Sequence, residues 1–274
     1  MIEDLVKRAL AEDLGGGDLT TAAVVPEGAM ARATVEQRAE GVIFGLDAAA
    51  EVFRQSGNGG LQFHTAVEEG SWRVGGEVAA IEGPAAGLLA GERVALNLLG
   101  RLSGVATITA RFVTAVEGTG AQILDTRKTT PGMRALEKQA VVAGGGASHR
   151  AGLFDAILVK ENHAVLAGGV GKAARRAVEV AGDGVEVVVE CATLEEVEEA
   201  IAAGAPRVLL DNMSPDELRG AVRRVAGRAV IEASGGVTLD GVRALADAGA
   251  ELISVGALTH SAPALDLSLT VEPL

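Results

Sequence analysis

Val185-Glu186-Val187-Val188-Val189-Glu190, Thr193-Leu194-Glu195-Glu196 and Arg207-Val208-Leu209-Leu210-Asp211-Asn212 decide how this chain folds. The outer two runs are the short Val/Leu stretches of strands covered on both faces. Between them, Thr193 and Glu196 have the spacing of a capping box, and apolar residues follow at helical intervals. Strand, polar tip and amphipathic helix therefore form one unit. The same unit recurs, with strands expected at Gln122 to Asp125, Ala156 to Val159, Val185 to Val189, Arg207 to Leu210, Ala229 to Ile231 and Glu251 to Val255. Pro131 reads as a first-turn residue after Thr130, and Ser214-Pro215-Asp216-Glu217 as a second capping box. Right-handed crossovers curl such units into a barrel or a doubly wound sheet, and the missing Gly-x-Gly-x-x-Gly fingerprint favours the barrel.

The residues before 120 have another rhythm. Ile2 to Ala11 reads as a helix stopped at Gly15-Gly16-Gly17, and Asp18-Leu19-Thr20-Thr21 as the start of a loop ended by Pro26. Strands are expected at Ala31 to Gln37, Gly41 to Phe44, Leu61 to Val67 and Val78 to Ile81, with a helix at Leu46 to Arg54. That mixture is a small α+β unit. Two helices, broken near Ser103-Gly104, are expected between Ala85 and Glu117; the first carries Glu92, Arg93, Asn97 and Arg101, and together they bridge the domains.

Composition bounds the function. The 274 residues include 48% apolar and 2% aromatic residues with 37 glycines, ample for a core of small aliphatic side chains. A net charge of −13 argues against a general nucleic-acid or anionic-membrane surface. The single cysteine, Cys191, leaves no intrachain disulfide and reads as a small buried side chain. The start of the chain lacks a basic, apolar leader, and no uncharged apolar stretch has spanning length, so a soluble cytoplasmic protein is expected.

In a barrel the residues after each strand carry the chemistry. Here those tips are Thr126-Arg127-Lys128-Thr129, Lys160-Glu161-Asn162-His163, Glu190, Asp211-Asn212, Glu232-Ala233-Ser234-Gly235-Gly236 and Gly256-Ala257-Leu258-Thr259-His260, while Gly144-Gly145-Gly146 precedes His149-Arg150. Thr193 and Ser214 already serve as caps, which leaves the carboxylates of Glu190 and Asp211 for a divalent cation; an all-oxygen pair suits Mg²⁺ better than zinc. Arg127, Lys128, Arg150 and Lys160 at one rim would repel one another unless a multiply charged anion or the two acids compensated. Ser234-Gly235-Gly236 and Val255-Gly256-Ala257, each ahead of an expected helix start, suit a phosphate. His64 reads as structural, His149 and His260 as ligand contacts or loop residues, and His163 as a supporting or packing residue.

These motifs, with Asp18-Leu19-Thr20-Thr21, Thr130-Pro131-Gly132, Gly91-Glu92-Arg93-Val94-Ala95-Leu96-Asn97, Leu210-Asp211-Asn212-Met213 and the closing Ser261, resemble the quinolinate phosphoribosyltransferase family over nearly the whole chain. The resemblance implies an N-terminal α/β sandwich at 1–103 and an open TIM-like α/β barrel at 104–274, the last residues returning to the first domain. It implies a pentosyltransferase, the carboxylating nicotinate-nucleotide pyrophosphorylase: quinolinate and phosphoribosyl pyrophosphate (PRPP) give nicotinate mononucleotide, pyrophosphate and CO2 in NAD biosynthesis. By that analogy Thr126, Arg127, Lys128, His149, Arg150 and Lys160 hold quinolinate, and Arg93 completes the pocket across a homodimer that can assemble further. Glu190 and Asp211 contact ribose and, directly or through water or PRPP, Mg²⁺. Ser234, Gly235, Gly236, Val255, Gly256 and Ala257 hold the 5′-phosphate, and His260 with Lys128 faces pyrophosphate. Lys128, Lys160, Glu190 and Asp211 form the catalytic set.

Two positions depart from the family pattern: Ser148 stands where Asn is usual, and Val188 where a second glutamate is common. Three other readings stay open on sequence. They are a sibling phosphoribosyltransferase acting on nicotinate, a barrel aldolase using Lys160 as a Schiff base, and a non-catalytic sensor of a phosphoribosyl ligand.

Overall fold

The computed structural model describes residues 2–274, and the chain divides into two compact units. The first unit runs to Ile108 and includes Ala143–Gly145 and Ala262–Leu274. It opens with α1 (Ile2–Leu14) and α2 (Leu19–Val24), followed by β1 (Met30–Gln37), β2 (Gly41–Val42) and α3 (Leu46–Ser56). Then come β3 (Gln62–Thr65), β4 (Trp72–Arg73), β5 (Gly76–Pro84) and the long α4 (Ala85–Ala115), whose last residues belong to the second unit.

Where the sequence reads as a loop after Asp18, a helix forms instead. The reason is local: the Asp18 carboxylate accepts the Thr21 backbone N–H at 3.0 Å, capping α2. The break expected near Ser103-Gly104 is also absent, since α4 is continuous through both. Gly104 is there for close approach. A Cβ on it would lie 2.0 Å from the Pro263 carbonyl oxygen. Ser103 uses its hydroxyl to accept the Phe44 N–H at 3.0 Å rather than to end the helix.

The second unit continues with β6 (Gln122–Leu124), α5 (Arg134–Ala143), β7 (Ala156–Val159), α6 (Glu161–Ala167), α7 (Val170–Val180), β8 (Glu186–Cys191) and α8 (Leu194–Ala202). It is completed by β9 (Arg207–Asp211), α9 (Pro215–Val225), β10 (Val230–Ser234), α10 (Val242–Asp247), β11 (Leu252–Ser254) and α11 (Ala257–His260). The final strand, β12 (Leu267–Pro273), belongs to the first unit, where it pairs antiparallel with β1; the four-stranded sheet there has the order β12-β1-β5-β3. Phe53 of α3 packs over that sheet against Phe63, ring centroids 6.1 Å apart. His64, expected to be structural, is exposed on β3.

Both expected capping boxes are present, at Thr193 with Glu196 and at Ser214 with Glu217. Pro131 lies in a turn ahead of α5 rather than in its first turn, because the Met133 N–H donates to the Thr130 carbonyl. The six parallel strands have the order β6-β11-β10-β9-β8-β7. From β8 to β11 each strand is laid beside its predecessor in the chain, while β6 joins the far edge next to β11. Among the described residues no ladder joins β6 to β7, so the wall is open there. Laid flat, six strands at about 4.8 Å spacing would hold those edges about 24 Å apart. Yet Thr126 after β6 and Lys160 after β7 line one cavity. The sheet is therefore curled into an open-sided α/β barrel.

Replacing Gly104 by Ala should lower thermal stability by about 1–3 kcal/mol through overpacking against backbone. Gly16→Ala, whose new methyl meets nothing within 4 Å, should stay within about 0.5 kcal/mol of the parent. Equal melting temperatures for the two variants would remove the close-approach explanation.

Candidate active site

Parallel pairing sets which side chains share a face. Glu190, Leu209 and Glu232 lie opposite one another across β8, β9 and β10, and Asp211 lies opposite Ser234. Residues two apart along a strand point the same way, so successive layers of the barrel interior are fixed by register. Leu158, Val188 and Leu209 form a buried apolar cluster, with Arg207 opposite Val188. Above it opens a cavity of about 620 Å³.

The expected Thr126, Arg127, Lys128, His149, Arg150, Lys160, Glu190, Asp211, Ser234, Gly235, Gly236, Gly256, Ala257 and His260 all line this one cavity. Two expected residues do not. Val255 is buried beneath the rim and donates its N–H to the Leu124 carbonyl, so that donor is already occupied. Arg93 lies on α4 in the first unit, 62% exposed and 3.6 Å from Glu92. The cavity adds Leu158, Leu209, Asn212, Glu232, Val237 and Ser254. Of these, Glu232 had a visible signal, a charge next to an otherwise apolar strand. Reading that strand as ending at Ile231 put Glu232 at a tip, whereas β10 runs on to Ser234 and buries it.

Four of the lining residues, Arg127, Lys128, Arg150 and Lys160, are cations. Arg127 keeps a buried Nε with no hydrogen-bond partner. Arg150 donates from Nη1 to the Ala156 carbonyl at 3.3 Å. Its pKa is pushed down by burial first and by the neighbouring Arg127 charge second. The Lys160 N–H donates to His163 Nδ1 at 2.9 Å, which gives His163 a supporting role and turns Lys160 toward Glu190, 3.5 Å away. Lys128 is tied through its carbonyl, which accepts from the Thr259 hydroxyl at 2.9 Å.

Beneath them is a floor of buried charge. Arg207 Nε donates to Glu232 Oε2 at 2.9 Å, and its Nη1 reaches Glu186 at 2.7 Å. Ser254 donates its hydroxyl to the other Glu232 oxygen, which also faces His149 Nε2 at 3.6 Å. The Arg150 N–H donates to His149 Nδ1 at 2.6 Å, so a neutral His149 carries its proton on Nε2, toward Glu232. The Glu232 carboxyl is held below the ordinary glutamate range. Burial alone raises it, but the His149 hydrogen bond, the Arg207 charge and the Ser254 hydroxyl outweigh that. Asp125, paired with Lys138, goes the other way because burial dominates.

Acids and glycines line the same cavity. Asn212, at φ 56°, donates from Nδ2 to Asp211 at 2.9 Å. Gly235 has φ +93°, and any Cβ there would come within 2.4 Å of Asn212 Oδ1, so only glycine fits. Its loop reaches α10 only at Val242, and is not the helix start the sequence suggests. Among the described residues no cluster of three His, Cys, Asp or Glu side chains could cage a metal. Two carboxylates on one rim instead fit a hard cation that keeps water and substrate oxygens as most of its ligands, the habit of Mg²⁺. Cys191 is buried with its thiol pushed up to about 12, mainly by burial, and has no thiolate at neutral pH.

Fold and cavity together define an α/β-barrel protein shaped for small, multiply charged anions. The model of the quinolinate phosphoribosyl transferase C-terminal domain matches residues 105–270, and that of the N-terminal domain matches 18–103. The chain is 41% identical over 271 residues to the probable nicotinate-nucleotide pyrophosphorylase (carboxylating) of Bacillus subtilis, covering 98% of this chain and 93% of that one. It is 42% identical over 271 residues to the human nicotinate-nucleotide pyrophosphorylase (carboxylating), covering 97% and 90%. The solved structure of the Francisella tularensis nicotinate-nucleotide pyrophosphorylase superposes with a TM-score of 0.93 at 38% identity, covering 99% and 96%. The chain belongs to the quinolinate phosphoribosyltransferase family.

A carboxyl whose pKa falls on folding stabilises the fold above its unfolded value and loses that contribution as pH drops through the folded one. Glu232→Gln should therefore cost about 3 kcal/mol at neutral pH by leaving Arg207 undercompensated. The gap should close as pH falls below about 4. Denaturant unfolding across a pH series measures it, and a gap that ignores pH would show that the Glu232 charge is not its source.

Proposed function

We propose that this chain is a carboxylating nicotinate-nucleotide pyrophosphorylase. It transfers phosphoribosyl from PRPP to quinolinate with loss of CO2. The observation that carries this reading is the charge gathered in one cavity: Arg127 and Arg150, neither in an ion pair among the described residues, line it with Lys128, Lys160, Glu190, Asp211 and glycine-rich backbone. Two guanidinium forks and Lys160 match the two adjacent carboxylates of quinolinate, with Thr126 and His149 beside them. Ser234, Gly235, Gly236, Gly256 and Ala257 suit the 5′-phosphate. Lys128 and His260, which both pack over Gly256, face the pyrophosphate.

In this reading Glu190 and Asp211 orient the ribose hydroxyls and hold Mg²⁺ through water or PRPP. When bound, the ion supplies charge neutralisation for the departing pyrophosphate. The bond from the anomeric carbon to pyrophosphate breaks as the pyridine nitrogen attacks, and Lys128 stabilises the leaving charge. The ring nitrogen is then quaternary. The bond to the carboxylate beside it breaks, CO2 leaves, and the electron pair stays on the carbon next to the positive nitrogen until a solvent proton arrives. The protein contributes position and electrostatics, and no side chain forms a bond to substrate. Lys160 is half exposed and lies 3.5 Å from Glu190, not in the apolar pocket that Schiff-base chemistry favours.

The reading includes a cytoplasmic homodimer in which Arg93 serves the partner's cavity. In its support, Arg93 does not line the cavity of its own chain, and Leu153 and Phe154, just after Arg150, are 74% and 87% exposed. No helix among the described residues is long and apolar enough to cross a membrane.

A coupled assay with quinolinate, PRPP and Mg²⁺, each omitted in turn, should release CO2 only when all three are present. Arg150→Ala should raise the KM for quinolinate about 10- to 100-fold, the loss of a charged hydrogen-bonding pair. Asp211→Ala should chiefly depress turnover of PRPP. Equal damage to both substrates by both variants would defeat this division of labour, and turnover of nicotinate without CO2 release would favour the sibling enzyme.

A further inference from the structure

Three charged residues on one face of α5, Arg134, Glu137 and Lys138, line no part of the cavity. Their spacing puts them on adjacent turns of the same stripe. All three reach into the loops that present the cavity's cations. Glu137, fully buried, accepts the Thr130 N–H at 2.9 Å and the Thr130 hydroxyl at 2.7 Å, holding the loop that bears Arg127 and Lys128. Lys138 pairs with Asp125 and donates to the His149 carbonyl at 2.9 Å, while Asp125 accepts the His149 N–H at 2.9 Å, so one ion pair grips that residue at both ends. Arg134 joins the two loops. It donates from Nε to the Thr129 hydroxyl at 3.0 Å, from Nη2 to the Arg127 carbonyl at 3.4 Å and from Nη1 to the Ala151 carbonyl, the residue after Arg150, at 3.2 Å.

We propose that this face of α5 is a brace that sets the separation of Arg127 and Arg150 and so selects a ligand with two adjacent carboxylates. Rotating long side chains do not fix that spacing, because the two guanidinium groups repel each other and neither meets a carboxylate among the described residues; Arg150 has its Nη1 bond to the Ala156 carbonyl, and Arg127 Nε has no partner. A restraint on both backbones does. Arg134, Glu137 and Lys138 are thus positioning residues, and this inference rests on the quinolinate reading above.

The test uses the full-length protein with Arg134→Gln and Arg134→Lys. Arg134→Gln should raise the KM for quinolinate about tenfold, as expected when a ligand-holding group shifts by a fraction of an ångström. The KM for PRPP should stay within about twofold. Preference for quinolinate over nicotinate as a competing ligand should narrow. Arg134→Lys should recover part of the loss. Hydrogen exchange of the ligand-free protein should rise at residues 126–130 and 147–152 and nowhere else in the second unit. KM values for both substrates rising together, exchange rising throughout the unit, or exchange unchanged at either loop would overturn the brace. Should the wild-type protein release no CO2 from quinolinate, the functional reading falls, while the exchange result still decides the brace.

Discussion

Arg127 and Arg150 stand at the barrel mouth, near enough for each to feel the other's charge, with no carboxylate in ion-pairing range of either among the described residues. Like charges held together in a partly buried place raise the energy of the ligand-free molecule. The cost is local and the restraint must be local too. Most of the polar structure around the cavity can be understood as that restraint. Asp155 accepts the Ala151 and Gly152 N–H groups at 2.6 and 2.9 Å, closing the turn behind Arg150, and the polar face of α5 grips the loops on both sides. An anion with two negative groups relieves the repulsion on binding, so the unfavourable term in the ligand-free state becomes selectivity for charge.

The floor of the cavity solves a second problem. Glu232 and Arg207 are both buried, and removing two charges from water costs several kcal/mol per ion unless each is paired and hydrogen-bonded. Here every Glu232 oxygen has a partner, one toward Arg207 and one toward Ser254 and His149. Apolar residues of the same size would serve stability equally well. The charged floor instead fixes the His149 ring, whose Nδ1 is already occupied by the Arg150 N–H. The Arg150 N–H thus sets which nitrogen of His149 bears hydrogen, and the buried Glu232 faces that nitrogen.

The barrel was legible in the sequence because its strands are short apolar runs separated by capped helices, signals written within a dozen residues of each other. The strand tips were legible for the same reason, and all but Arg93 and Val255 of the residues read as candidates there line one cavity. What escaped depends on contacts between distant segments. Gly104 looks like a helix breaker until Pro263 is placed against it. That the last residues return to the first domain came with the family resemblance; strand β12 itself forms because β1 offers it an edge, and nothing in Leu267–Pro273 alone specifies that partner. Glu232 and Arg207 read as ordinary charges near strand ends, since burial is invisible until the barrel closes over them. The α5 stripe reads as a solvated helix face, because the loops it holds fold back onto it from both directions.

The two departures from the family pattern bear on different parts of the site. Ser148 is shorter than the usual Asn, yet His149 does not hang on it: Asp125 and Lys138 hold its backbone and Arg150 its ring. Ser148 instead lies close enough to Asp125 to favour the charged carboxylate against burial. Val188 is more consequential. It is fully buried beside Leu158 and Leu209 and stands opposite Arg207 in the β8–β9 register. A carboxylate there would stand across from Arg207, whose guanidinium already meets Glu232 and Glu186, so valine leaves that arginine to those two acids. Valine also leaves Glu190 and Asp211 as the rim's acids, with Lys160 close to the first and Asn212 bound to the second. A cation held there takes most of its ligands from water and substrate, which makes its binding depend on the polyanion that arrives with it.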